Sequence, residues 1–181
     1  ASDQDIVAIG TGGTSLNFLN AKTGILIDDV VSPYGWPDQI QAHTSAHTNQ
    51  LQFLVGHSYL TCGSTVRAWS LSPQAEEGIN FDRSINAMGR SMGGWDSCGV
   101  RDFWVGPLIN EAPDQVIVLR HGAVNQLTAY NKTTGDPLWD VGLGGSPVAL
   151  SVVPNDSAAA ARCYVAEQFG GVVCFDGTGK Q

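Results

Sequence analysis

The chain has 181 residues and a mass of 19.1 kDa, the size of one domain or at most two small ones. Only 14% of the residues are charged and the formal net charge is −8, so the clustered Lys and Arg of a phosphate-binding surface are missing and we expect no nucleic-acid partner. Glycine contributes 22 residues, well above the usual share of about 7%, which favours short strands joined by tight turns. No apolar run approaches the roughly 18 residues of a membrane span, and the polar start of the chain carries no signal-peptide pattern.

Four segments of the chain share one pattern. They are Leu16–Gly24, Val66–Leu71, Leu127–Gly135 and Val172–Gly179. In each, apolar and polar residues alternate over four to six positions, which is the period of a half-buried strand. Three of them then break at a Thr-Gly pair. Their starts are 50, 61 and 45 residues apart, which are intervals typical of propeller blades with insertions.

Further strands are predicted around each segment, in chain order. The strands that precede the four segments are Asp5–Gly10, Leu51–Gly56, Gln115–Arg120 and Arg162–Glu167. The strands that follow them are Ile25–Val31, Ile79–Ile85 and Pro137–Val141, and the strands that lead into later units are Ile40–His47, Arg101–Ile109 and Ser146–Val153. A strand, a glycine turn and a second strand indicate a hairpin. The prediction is therefore 14 antiparallel strands in units of three, four, four and three.

Two of the segments resemble known propeller repeats. Thr65–Leu71 looks like the third strand of a WD-repeat blade, and Leu127–Trp139 resembles the repeat of pyrroloquinoline-quinone-type propellers. Lys22–Gly24 and Asp176–Gly179 are weaker copies of the Thr-Gly turn. The resemblance implies an all-β fold, a β-propeller of about four antiparallel blades. Residues 1–181 would form a single propeller segment with units near 5–31, 40–85, 101–141 and 146–181.

The number of predicted strands indicates whether the blades can close into a ring. A self-closed ring of four blades needs about 16 strands, whereas the first predicted unit lacks a leading strand and the last lacks an outer strand. We expect part of a larger propeller, because covering the open edges requires more chain, a second copy or another protein subunit. Main-chain pairing along Asp5–Gly10 or Val172–Phe175 would make that contact. Within the arc, Trp139 should be largely buried against the next blade, because a large aromatic face suits that position.

The four cysteines are widely spaced, at Cys62, Cys98, Cys163 and Cys174, and none forms a Cys-x-x-Cys pair. The last two lie on the predicted arms of one hairpin. A register slip of one residue puts two such side chains on opposite faces. We expect these strands to pair without a disulfide.

The sequence contains no strong catalytic, metal or cofactor motif. His43 and His47 are four residues apart, but on a strand that spacing is about 13 Å, too far for one ion. Gly10–Gly13 and Gly142–Gly145 lack the Gly-Lys-Ser/Thr ending of a phosphate loop. We expect no metal, no cofactor and no catalytic residue, although a triad assembled from distant segments stays open because triads are spatial.

The least repetitive segment is Asn86–Val105, a long glycine-rich connection. Long loops on rigid scaffolds often carry binding, and Arg with Trp is the chemistry of interface hot spots. The candidate binding residues are Arg90, Trp95, Arg101 and Trp104.

The favoured function is a non-catalytic propeller scaffold that mediates protein–protein interaction. One alternative is a glycan-binding or glycan-cleaving propeller, in which Trp36, Trp95 and Trp104 would stack on sugar rings. Another is a fragment of a quinone-dependent dehydrogenase, although the adjacent cysteines and calcium-ligand cluster of that family are missing from the sequence. Propellers host both enzymes and binding proteins, so fold alone does not decide between these functions. The sequence indicates no cellular compartment.

Overall fold

The computed structural model describes residues 5–31, 35–44, 51–58, 64–71, 79–85, 99–108, 114–122, 124–154 and 161–181. Fourteen strands lie in these residues, in four separate antiparallel sheets of three, four, four and three strands. The predicted number of strands and their grouping are therefore confirmed for the described part of the chain.

The first sheet contains β1 (Ile6–Gly10), β2 (Ser15–Asn20) and β3 (Leu26–Val31). The second contains β4 (Trp36–Thr44), β5 (Leu51–Ser58), β6 (Ser64–Leu71) and β7 (Ile79–Ile85). The third contains β8 (Gly99–Gly106), β9 (Gln115–His121), β10 (Gln126–Asn131) and β11 (Pro137–Gly142). The fourth contains β12 (Pro147–Val153), β13 (Arg162–Glu167) and β14 (Val172–Asp176).

Within each sheet the strands lie side by side in chain order. Successive sheets meet through their first strands, because β1 contacts β4, β4 contacts β8 and β8 contacts β12. We call β4, β8 and β12 the inner strands. Four sheets that stack face to face along a line of inner strands have the blade arrangement of an open propeller.

Apolar layers fill the three spaces between successive sheets. The first layer comprises Leu16, Phe18, Phe53 and Val55. The second comprises Leu54, Val66, Ala68, Val100, Phe103, Val105, Val116, Val118 and Tyr130. The third comprises Leu108, Ile117, Leu119, Leu127, Ala129, Ala161, Cys163, Val165 and Phe175. The central strands of the two middle sheets are thus covered on both faces, which explains the unbroken apolar runs in β5 and β9.

The Thr-Gly turns share a side-chain cap that the sequence pattern also carries. The Oδ1 atom of Asn20 accepts from the backbone N–H groups of the second and third residues that follow it, and that of Asn131 does the same. In the last hairpin Asp176 takes this place. The closing glycines have left-handed backbones, with φ of 68° at Gly24, 78° at Gly135 and 81° at Gly179. Glycine is favoured there because other residues pay a steric cost at positive φ.

The strand β4 begins at Trp36 rather than at the predicted Ile40. Gly35 and Pro37 look like turn residues in the sequence, which hid the start of the strand. Proline is tolerated there because β4 is an edge strand and the ladder shifts register between Pro37 and Gln39.

Trp139 contacts the adjacent sheet as predicted. Its Nε1 donates to the carbonyl oxygen of Gly177 at 3.0 Å, and its ring lies against Gly179 in the last turn. The side chain is only partly buried, however, and the expectation of a largely buried ring is wrong in degree. A groove of about 290 Å³ lies beside the ring. In the described part of the chain, no strand lies outside β14 to cover it.

The cysteine prediction is confirmed for the pair that the structure describes. Strands β13 and β14 are hydrogen-bonded, with Cys163 opposite Phe175 and Cys174 opposite Tyr164. The two cysteines are therefore one step out of register, and both are free thiols. Burial in the third apolar layer raises the pKa of Cys163 to about 12.

Candidate interaction surface

Two glutamines of β4 link the second sheet to the third. The Nε2 atom of Gln41 donates to the carbonyl oxygen of Phe103 at 2.6 Å, and that of Gln39 donates to the carbonyl oxygen of Arg101 at 3.4 Å. Side chains two apart on a strand project from the same face, so both can reach β8. Because β8 is a sheet edge with unpaired main-chain groups, these bonds satisfy carbonyls that would otherwise need water.

The next two links run from β8 to β12. The Nε atom of Arg101 donates to the carbonyl oxygen of Val148 at 3.1 Å, and Oδ2 of Asp102 accepts from the N–H of Leu150 at 3.1 Å. Consecutive side chains on a regular strand point to opposite faces. The ladder of β8 shifts register between Val100 and Asp102, and such a bulge re-aims side chains. The bulge accounts for both side chains reaching the same neighbouring strand.

Where the inner strands begin, a surface of mixed chemistry is formed by Trp36, Asp38, Arg101, His121 and Val148, which we call the inner-strand rim. All except His121 are exposed. Trp36 and Val148 expose 36% and 38% of their surface. The rim therefore presents an indole, an apolar side chain and charges of both signs on strands fixed by main-chain contacts.

His121 lies within the electrostatic field of the two charged rim residues. Burial lowers its pKa from the usual 6.5, the nearby Arg101 guanidinium lowers it further, and Asp38 acts in the opposite direction. The ring also lies so close to Gly99 that a Cβ there would be 2.7 Å from Nε2. At neutral pH the His121 imidazole is therefore neutral, with a cation and an anion nearby.

The predicted binding residues fall in different places. Arg101 lies in the rim, whereas Trp104 is partly buried and packs on the third apolar layer. A Cβ at Gly106 would be 2.6 Å from Cη2 of that ring, which shows how closely the indole is held. Arg90 and Trp95 lie outside the described residues. The structure thus separates Arg101 from Trp104, and a binding role for Arg101 stays a prediction.

The opposite ends of the inner strands carry a polar link between the second and third sheets. His43 Nε2 lies 2.8 Å from Oδ2 of Asp114, and both side chains are largely buried. The backbone N–H of Lys132 donates to the carbonyl oxygen of Asp114, and Lys132 Nζ donates to Oε1 of Gln52 at 2.5 Å. Gln52 is itself the ladder partner of His43. These contacts give His43 a structural role, while His47 lies outside the described residues.

Arg120 places a cation between the second and third sheets. It is 3% exposed, and its Nη2 donates to the hydroxyl oxygen of Tyr130 at 2.6 Å and lies 3.4 Å from that of Thr128. Among the described residues its Nε finds no hydrogen-bond acceptor. Burial raises the pKa of Tyr130, although the Arg120 charge works against that rise. The phenol therefore remains a neutral partner of the guanidinium at physiological pH.

The described residues contain neither a metal-binding cluster nor a membrane-spanning helix. Within the described ranges, no three His, Cys, Asp or Glu side chains group in a way that could hold a metal ion. None of the same residues forms a helix with the length and apolar character that would span a bilayer.

Comparison with known proteins supports a β-propeller fold. No family model and no curated protein matches the sequence. Among solved structures, the WD-repeat propeller Sqt1 of Saccharomyces cerevisiae is similar, with a TM-score of 0.63 at 13% identity. The match covers 94% of this chain and 44% of Sqt1, so the chain spans less than half the length of that protein. The similarity indicates a WD-like β-propeller fold.

Proposed function

We propose that this chain is a non-catalytic β-propeller scaffold that binds a partner protein through the inner-strand rim, with residues 1–181 forming one propeller segment. The main support is the chemistry of the rim, where the Trp36 indole and the Arg101 guanidinium are both exposed on inner strands. Trp and Arg dominate the hot spots of protein interfaces.

Rigidity is the second support. The Arg101 side chain is held by its own bond to Val148 of β12, and the main chain of Arg101 accepts the bond from Gln39. A side chain already ordered in the free protein loses little entropy on binding, so more of the contact energy appears as affinity. The partner should offer an apolar or aromatic pocket for Trp36. Beside it, the partner should place an acidic group opposite Arg101 and a basic group opposite Asp38.

The test begins with a photo-reactive amino acid placed at position 36, with the same amino acid at Leu138 as a control. Leu138 is also exposed but lies on the edge strand β11 of the third sheet. We expect a protein partner to be crosslinked to the photo-reactive residue at position 36 and not to the one at position 138. Equal capture from both positions would contradict the proposal.

The captured partner is then titrated against two charge reversals. Arg101→Glu should weaken its binding at least tenfold, because a hot-spot arginine contributes about 2 kcal/mol or more. The control is Lys22→Glu, which should leave the affinity unchanged because Lys22 lies in the turn after β2. Unaltered affinity in the Arg101 variant would refute the assignment of the rim. An oligosaccharide that binds through Trp36 would instead favour the glycan-binding hypothesis.

A further inference from the structure

Equivalent positions in the repeated segments face the sheet that follows. In the first three segments these residues are Leu16 and Phe18, Val66 and Ala68, and Leu127 and Ala129, and none is more than 3% exposed. The equivalent residues of the fourth segment are Val172 and Cys174. Val172 is 66% exposed and Cys174 is only partly buried. The last sheet therefore presents, uncovered among the described residues, a face that is covered in every earlier unit.

The first sheet shows the complementary situation. The strand before each repeated segment directs two residues toward the preceding sheet: Phe53 and Val55, Val116 and Val118, and Cys163 and Val165, none more than 4% exposed. The ladder registers make Val7 and Ile9 of β1 the equivalent pair. Val7 is 43% and Ile9 42% exposed. Among the residues that the structure describes, one end of the stack therefore has no following sheet and the other end has no preceding sheet.

We propose that these two end faces bind each other in a second copy of the chain, with the last sheet of one copy packed on the first sheet of the other. The contact is head-to-tail, and a two-fold arrangement satisfies both ends at once. Two copies give eight sheets, within the four to eight blades usual for closed propellers. This inference rests on the propeller fold and is independent of the rim.

The packing inside the chain shows why a second copy fits. Between the second and third sheets, the small pair Val66 and Ala68 packs with the β-branched pair Val116 and Val118. The end faces offer the same combination, because Val172 and Cys174 are of similar size to the first pair and Val7 and Ile9 are β-branched like the second. Leu19 and Leu26 extend the apolar face of the first sheet.

Sedimentation equilibrium of the 181-residue chain tests the proposal. We expect a species of twice the 19.1 kDa chain mass. Val172→Asp and Ile9→Lys should each give monomers, because each places a charge in both junctions of the ring. An equimolar mixture of the two variants should regain dimers, since one junction is then native and the other pairs Asp with Lys. Leu138→Asp, at an equally exposed apolar site away from the end faces, should remain dimeric.

Three results would overturn the proposal. The first is a chain that stays monomeric at every concentration. The second is dimerisation that Val172→Asp abolishes and Ile9→Lys leaves intact, which would mean a contact between identical faces. The third is a series of masses above the dimer, which would mean open head-to-tail chains. Circular dichroism of each variant should match the unmodified chain, because the substituted side chains are exposed.

Discussion

Replacing Gly179 by alanine probes the contact between the third and fourth sheets. Gly179 has a φ of 81°, and a Cβ there would lie 2.8 Å from Cε3 of Trp139. Alanine therefore meets two obstacles, a left-handed backbone and the indole ring. Gly24 provides the control, because it also follows a threonine in a hairpin turn and has a left-handed backbone with a φ of 68°. None of the surrounding atoms lies within 4 Å of the position that its Cβ would take.

The two variants separate backbone strain from packing. Gly24→Ala should lower the free energy of unfolding by about 1 kcal/mol, the cost of a left-handed backbone for an L-residue. Gly179→Ala adds an overpacked contact, which typically costs about 1–3 kcal/mol. Because the Trp139 ring is only partly buried and can move outward, we expect a total of about 2–3 kcal/mol.

Urea unfolding followed by tryptophan fluorescence measures these differences, at one fixed protein concentration so that association does not contribute. In a Trp139→Ala background the clash is absent, and the cost of Gly179→Ala should fall to that of Gly24→Ala. Trp139→Ala alone should cost about 3 kcal/mol, the low end for a large aromatic. Equal destabilisation by Gly24→Ala and Gly179→Ala in the unmodified chain would refute the predicted packing.

Three further outcomes follow from buried or partly buried polar groups. The pKa of His121, measured by NMR titration, should lie below 6.5. The unfolded chain then takes up the proton at a higher pH than the folded chain does. The contribution of His121 to the free energy of unfolding is therefore present above pH 6.5 and is lost as the pH falls through the folded pKa. Tyr130→Phe should cost about 1.5–3 kcal/mol in urea unfolding, since it removes a hydrogen-bond acceptor from the buried Arg120 guanidinium. Gln41→Ala should cost about 1 kcal/mol by the same assay, because it removes an inter-sheet hydrogen bond and exposes the Phe103 carbonyl to water.

Most of the fold could be predicted from local sequence patterns. Alternation along each strand and the Thr-Gly turns depend on neighbouring residues, so the number of strands, their grouping and the positive φ at Gly135 could be predicted. The start of β4 could not, because Pro37 reads as a turn residue unless its place on a sheet edge is known.

The rim was much harder to predict than the strands. Its five residues come from four separate segments, and only the stacking of sheets brings them together. Arg101 was predicted from the unusual composition of its own segment, whereas nothing adjacent to Asp38 in the sequence points to His121. The link between His43 and Asp114 was hidden for the same reason, since 71 positions separate the two residues.

The central claim is that repeat position decides which faces are covered and leaves the last face for a second copy. The most direct test measures how fast Cys174 reacts with a thiol reagent as the protein concentration rises. Peptide mass spectrometry gives the labelling rate. We expect rapid labelling in dilute solution and protection as the chain associates. Ala129→Cys, at the equivalent position in the third sheet, should stay unreactive at every concentration, because the fourth sheet already covers it. A Cys174 labelling rate that does not depend on concentration, or an Ala129→Cys thiol that reacts as fast as Cys174, would contradict the account.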